Sequence, residues 1–357
     1  MSDDVLRPGS MSRRKALVLA ASAAALSTVP FIKKAKAADR RIVVRDPGGP
    51  IGAMYQKVFY EPFKKESGIT VVGVTSDSEP SGLIKAMVQS KNYTWDAAIL
   101  TSPQVEILSS INALEPVGPA GKNVSQIPDD FKSEFFVGSA VTASILGYRT
   151  DQLKTFPSGW KDFYEPERVP GRRSLRKHPF DTLESALLAD GVPAAQLYPL
   201  DIDRALKKLE AVKRSNPVWW TSGAQITQAI TSGEVDMVGG FENRIGYALD
   251  DGIPGAMVWD GGTWVCEGWA VLKGTPNAAL AREFIEYVSD ATRQAAWAPR
   301  MRLGPTNPGA LANLPPDVAK RLPSHPDNLK KMVKVNAAYW RKEQAQALER
   351  FNAWLAS

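Results

Sequence analysis

Tryptophans and carboxylates recur together between Trp219 and Lys273, at spacings that suit strands and turns better than one face of a helix. The stretch runs Trp219-Trp220-Thr-Ser-Gly-Ala-Gln, then Gly240-Phe241-Glu242-Asn243-Arg244, then Trp259-Asp260-Gly-Gly-Thr-Trp264-Val-Cys-Glu267-Gly-Trp269. Aromatic faces attract an organic ammonium group through the ring quadrupole, and a neighbouring carboxylate adds a charge-assisted hydrogen bond. These residue types therefore support recognition of a small cation. For any one tryptophan the competing role is core packing, and for any one acid it is a solvated surface.

Such side chains need a scaffold, and the first half of the chain has the pattern of one. Arg41 to Arg45 reads as a strand ending in Asp46-Pro-Gly-Gly-Pro-Ile-Gly52, and Ala53 to Ser67 as a helix stopped by Gly68. Strands at Ile69 to Val74 and Asp96 to Leu100 alternate with helices at Ser81 to Ser90 and Pro103 to Asn112. Strand-helix alternation implies a parallel, doubly wound α/β sheet, in which ligands bind beyond the carboxyl ends of the strands. Those ends are Asp46 to Gly52, Thr75 to Pro80 and Thr101 to Gln104.

Ser139 to Tyr148 reads as an apolar crossing strand, and Trp160 to Gly171 marks a new unit. Arg172-Arg173-Ser-Leu-Arg176-Lys177 reads as a solvated basic rim. Helices are expected at 181–189, 201–214, 226–232, 278–297 and 326–355, with strands at 235–239 and 265–272.

The N-terminus carries export information. Ser12-Arg13-Arg14-Lys15 opens an apolar run from Ala16 to Ile32, and Ala35-Lys36-Ala37 supplies small-x-small spacing for a signal peptidase, so the mature chain is expected to begin near Ala38. Paired arginines before an alanine-rich run fit a twin-arginine signal; the general route and an uncleaved anchor are the alternatives. The formal charge of +6 is mostly the signal's. Residues 1–37 hold seven Lys/Arg and two Asp/Glu, leaving about +1 on the remaining 320 residues. That balance does not suggest a nucleic-acid surface.

Cofactor and catalytic chemistry have little to build on. Cys266 is the single cysteine and the two histidines, His178 and His325, lie far apart, so neither an intramolecular disulfide nor a metal centre is expected. Gly48-Gly49-Pro-Ile-Gly lacks the Lys-Ser/Thr of a phosphate loop, and no cofactor is expected. No Gly-x-Ser-x-Gly elbow follows a strand. Paired carboxylates with aromatics also suit a glycosidase or sugar-binding module, so an exported carbohydrate-active protein is the alternative reading.

Nine short elements in order carry a resemblance over nearly the whole mature chain: Trp95-Asp96 with the apolar run to Leu100, Gly171-Arg172-Arg173, Trp219-Trp220-x-Ser-Gly-Ala-Gln225, Gly233-Glu-Val, Asn243-Arg244, Trp259-Asp260-Gly, Glu267-Gly-Trp269-Ala, Lys273-Gly-x-Pro-Asn277 and Gly304-Pro-Thr-Asn307. The chain resembles the spermidine/putrescine-type solute-binding proteins of bacterial ABC importers. The resemblance implies a two-lobed periplasmic-binding-protein fold (type II), each lobe a mainly parallel sheet flanked by helices, hinged on crossing strands. It places residues 38–145 and 266–357 in the first lobe and 146–265 in the second. It also implies a periplasmic monomer that is not membrane-embedded, performs no covalent chemistry, and delivers a polyamine or an ω-amino acid to permease subunits.

Site residues follow from the resemblance position by position. Glu267 stands where relatives grip a terminal amine, with Trp264 and Trp269 around it, and Phe241 matches an aromatic that walls the cleft. His178 and Asp181 roughly match a pair of acids, and the histidine departs from that pattern. In the first lobe, Thr101, Ser102 and the loop around Gly49 replace aromatics. Small residues with free N-H groups, together with Arg244 as a bidentate clamp, are suited to a carboxylate, hence to a zwitterion such as an ω-amino acid.

Overall fold

A computed structural model describes residues 40–76 and 79–357. The export segment 1–37, and Asp77 and Ser78 within the Thr75 to Pro80 loop, lie outside the described residues. The twelve described strands are β1 (Arg41–Asp46), β2 (Thr70–Thr75), β3 (Ala97–Thr101), β4 (Leu114–Glu115), β5 (Lys132–Ser133), β6 (Phe136–Arg149), β7 (Arg173–Arg176), β8 (Val218–Trp220), β9 (Met237–Phe241), β10 (Gly255–Leu272), β11 (Gly304–Pro305) and β12 (Val333–Lys334). Their main order is β2-β1-β3-β10-β6-β9-β7-β8.

Parallel pairing occupies the two ends of this order: β2, β1 and β3 on one side, β9, β7 and β8 on the other. Between them run β6 and β10, 14 and 18 residues long, antiparallel to each other and to both neighbours. Each passes from one parallel triplet to the other, so the chain crosses between the halves on extended backbone. Close contact of the two is enforced by glycine. A Cβ on Gly268 would stand 2.2 Å from the Val137 carbonyl oxygen and 2.4 Å from Gly138 Cα, both backbone atoms.

The core forms two apolar clusters. The larger gathers Ile42, Val44, Tyr55, Phe59, Leu100, Trp269 and Phe284 and continues across the crossing strands to Trp220, Ile226, Val238 and Ile245; the second gathers Trp160, Phe163, Leu183, Leu187, Leu209 and Val212. Trp340, Ala347 and Phe351 of the C-terminal helix Ala337–Ala356 pack in the second core. This helix, which the expected division assigned with 266–357 to the first lobe, thus packs against side chains between 183 and 212. The reason is chemical: Trp340 donates its indole N-H to Glu184 at 2.7 Å, and Lys213 donates to the Trp354 carbonyl at 2.6 Å.

Three expectations are corrected. The basic run is strand β7, with Arg173 and Ser174 buried and Arg173 donating to the Phe163 carbonyl at 2.8 Å, so it is not a solvated rim. The helix expected over 278–297 is two, Ala278–Val288 and Ala291–Met301, because the Asp290 carboxylate accepts the Thr292 and Arg293 amides and starts a new helix. The strand expected over 265–272 begins at Gly255 and takes in the Trp259-Asp260-Gly-Gly segment as a register shift within β10, held where Trp160 Nε1 donates to the Gly261 carbonyl at 2.8 Å.

Candidate ligand-binding site

The carboxyl ends of β3 and β9 lie beside the middle of the crossing strands, Thr101 opposite Glu267 of β10 and Phe241 opposite Ser144 of β6. At this junction Glu267 of β10 stands in register with Thr101 of β3 on one side and Ala140 of β6 on the other. Its side chain keeps partial access to solvent, yet protein surrounds it deeply enough that burial raises its pKa, with Arg45 pulling it back down.

The carboxylate of Glu267 differs from the buried acids around it. Asp46 accepts from the Gly48 amide and the Tyr60 hydroxyl, both at 2.6 Å. Asp96 accepts from the Val43 amide at 2.7 Å and from Thr275 and Asn277. Glu242 accepts from the Ala143 amide at 2.8 Å, and Asp181 from Arg176 at 2.8 Å and Thr263 at 3.2 Å. Among the described residues none donates a hydrogen bond to the Glu267 carboxylate; the Cys266 thiol reaches only its backbone carbonyl, at 3.8 Å.

Phe241 closes strand β9 opposite Ser144 of β6 and is partly exposed. Its ring lies edge-on to Trp220 at 5.2 Å, and the Arg176 guanidinium lies 5.3 Å from its centroid. Asp181 sits at a kink with φ 68°, a left-handed conformation unusual for a residue other than glycine, and Arg176 and Thr263 hold its carboxylate. Burial raises its pKa and Arg176 opposes the rise.

His178 has a structural task. Its Nδ1 accepts the Phe180 amide at 3.1 Å and caps the following helix, while burial and then Arg176 hold its pKa down at about 4. It is therefore a neutral helix cap, not a replacement acid. Thr101 caps helix Ser102–Ser110 beside Glu267, and the Ser102 hydroxyl donates to the Cys266 carbonyl at 3.0 Å. Gly49, exposed with φ 54°, begins the helix after β1.

Two expected ligand contacts are packing residues instead. Trp269 is fully buried against Phe284 and Tyr55, with centroids at 5.1 and 5.9 Å. Trp264 faces the other side of β10, against Phe131 at 5.6 Å and under the Lys334 ammonium at 5.2 Å. Alternation along a strand sends residues 264 and 267 to opposite faces, and the core claims the tryptophan that shares a face with Glu267.

Arg244 lies in the first turn of helix Glu242–Asp250, with its guanidinium 5.9 Å from the Tyr247 ring. A Cβ at Gly223, where helix Gly223–Thr231 begins, would meet Arg244 Nε at 2.8 Å. Among the described residues no carboxylate pairs with Arg244. Glu242, its nearest acid in sequence, turns away to the Ala143 amide.

Sequence reasoning did not single out Arg176 or Phe180, and it named Trp220 only within the aromatic stretch. Arg176 was hidden inside a basic run whose strand character shows only in the apolar Leu175 and the buried Ser174.

Several sequence elements that carried the resemblance serve the frame. Asp96 of Trp95-Asp96 receives Thr275 and Asn277 of Lys273-Gly-x-Pro-Asn277, and Ser222 with Gln225 forms a capping box at the start of helix Gly223–Thr231.

The family model of the bacterial extracellular solute-binding proteins matches residues 59–326. The chain belongs to that family. This solute-binding protein is 35% identical over 333 residues to the γ-aminobutyric acid-binding protein of Pseudomonas aeruginosa, covering 91% of this chain and 94% of that one. A solved ABC transporter substrate-binding protein from Bradyrhizobium japonicum USDA 110 is 32% identical, with a TM-score of 0.80 over 88% of this chain and 99% of its own. The Atu4243 GABA receptor is 29% identical, with a TM-score of 0.81 over 89% and 98%. The fold is that of the two-lobed periplasmic binding proteins, and the chain is a substrate-binding component of an ABC transporter. No described helix is long and apolar enough to cross a membrane.

Proposed function

We propose that this solute-binding protein captures an ω-amino acid of the γ-aminobutyrate type in the periplasm, as a monomer exported by the segment 1–37, and hands it to its permease without chemical change. The observation that carries the reading is the Glu267 carboxylate. It lies deep at the junction, it opens to solvent, and no described residue donates a hydrogen bond to it. A buried carboxylate without a partner is costly, and a ligand ammonium supplies both the countercharge and the missing donors.

The other end of the ligand follows from the charge balance. Arg176 is compensated by Asp181, and Arg45 donates to the Ile99 and Ser76 carbonyls. Arg244, unpaired among the described residues and beside a helix start, is the cation suited to a ligand carboxylate. Thr101 pairs with Glu267 at one end, and Phe241 precedes the helix that carries Arg244 at the other. A diamine is disfavoured because Asp181 is already engaged by Arg176 and Thr263 and His178 is a neutral cap. Binding of one ligand by groups from both halves favours the closed arrangement of the lobes about β6 and β10.

Titration calorimetry on refolded, ligand-stripped protein tests the reading. Glu267→Gln is expected to weaken γ-aminobutyrate binding roughly thirtyfold or more. Arg244→Ala is expected to weaken γ-aminobutyrate but not n-butylamine, which lacks the carboxylate. Unchanged affinity in Glu267→Gln would remove the basis of the proposal.

A further inference from the structure

We propose that Arg176 occupies, from within the chain, the position that a second organic ammonium group would take, and thereby restricts the site to ligands with a single cationic end. This rests on the reading that Glu267 holds the one ligand ammonium.

The Arg176 guanidinium carbon lies 5.8 Å from the centroid of Phe180, 5.6 Å from Trp220 and 5.3 Å from Phe241. Its Nη1 stands 2.8 Å from an Asp181 carboxylate oxygen. Three aromatic faces and one carboxylate around a single cation form the recognition set that proteins present to organic ammonium ligands. Here the set is complete, and its cation belongs to the protein.

Two features make the position a ligand position and not merely a core. The Arg176 side chain is 26% exposed while Asp181 is 8%, so the enclosure opens outward at the cation and closes behind the acid. The other walls also stand independently of Arg176. Thr263 of β10 donates to the second Asp181 oxygen at 3.2 Å, Trp220 Nε1 donates to the Gly239 carbonyl at 2.9 Å, and Phe180 packs tilted against Trp340 with centroids 5.0 Å apart. Removing the guanidinium leaves the rings and the acid in place around a cation-sized space, with Asp181 uncompensated. A second ammonium group then has Asp181 and three rings to bind.

The test uses Arg176→Ala and Arg176→Gln, the second keeping a hydrogen-bonding group toward Asp181. In calorimetry both variants are expected to bind putrescine at least roughly tenfold more tightly than the unaltered protein does. Adding Asp181→Asn to Arg176→Ala is expected to abolish the gain. If Arg176→Ala lowers the melting temperature, ethylammonium chloride is expected to restore it and sodium chloride at equal ionic strength is not. Loss of γ-aminobutyrate binding with no gain for putrescine and no ethylammonium rescue would overturn the proposal and make Arg176 a ligand clamp or a packing residue. So would a putrescine gain that survives Asp181→Asn. Ethylammonium rescue reads the enclosure alone, whereas Glu267→Gln in the unaltered protein reads the amine site, so the two ideas fail separately.

Discussion

Glu242 is buried with one carboxylate oxygen accepting the Ala143 amide and the other without a partner among the described residues. Burial, opposed by that amide and reinforced by nearby Glu267, pushes its pKa up to about 8 from an ordinary 4.5. Other titratable groups in this neighbourhood are Arg45, Asp46, Tyr55, Arg244 and Tyr247. As pH rises past 4.5 the unfolded chain releases this proton while the folded chain keeps it until about 8. Glu242's contribution to stability is thus complete at low pH and declines across that window, by at most about 1.4 kcal/mol per pH unit. Glu242→Gln should flatten the fall in melting temperature between about pH 4.5 and 8. An unchanged slope would show that Glu242 ionises normally. Glu184, raised by burial to about 7, acts in the same direction and persists in the variant. At this scale the sequence was a partial guide. Glu267 was legible from an acid set among aromatics after a Gly-Gly turn. Which tryptophans face the ligand was not, because strand parity and core demand decide it; nor was the filling of the second aromatic cluster, which depends on contacts between β7, β8 and β9.

The crossing strands set the geometry of every site residue, and their tightest point is Gly138 beside Gly268. A methyl group at 268 has only backbone to displace. Gly268→Ala is therefore expected to cost about 3 kcal/mol in urea unfolding, at the upper end of overpacking penalties. By contrast Gly82→Ala, in helix Pro80–Ser90 where an added Cβ meets nothing within 4 Å, is expected to be neutral or stabilising in the same measurement. Equal effects would mean that β6 and β10 can separate without loss. Strands β1, β2 and β3 fall within a residue of their expected bounds, since short apolar runs punctuated by glycine and helix caps leave little ambiguity. The length of β10 was underread by ten residues, because Trp-Asp-Gly-Gly has turn chemistry even when a strand absorbs it as an irregularity.

At the scale of the whole chain, two parallel triplets bridged by two long strands explain why a ligand that touches both sides can report its presence through shape. The alternation of strands and helices announced such triplets. The C-terminal helix escaped, because its attachment to the second core depends on Trp340 meeting Glu184, 156 positions away in sequence. Cys266 lies in the bridge itself, 1% exposed, its sulfur 3.9 Å from the Phe131 carbonyl and its pKa raised by burial. Being the only thiol, it makes the molecule its own clock. A thiol reagent can reach it only when the bridge comes apart, so the labelling rate counts those moments. Ligand at a hundred times its dissociation constant should slow the labelling about a hundredfold if opening and release are one event. A rate indifferent to ligand would mean that the bridge breathes while the solute stays bound.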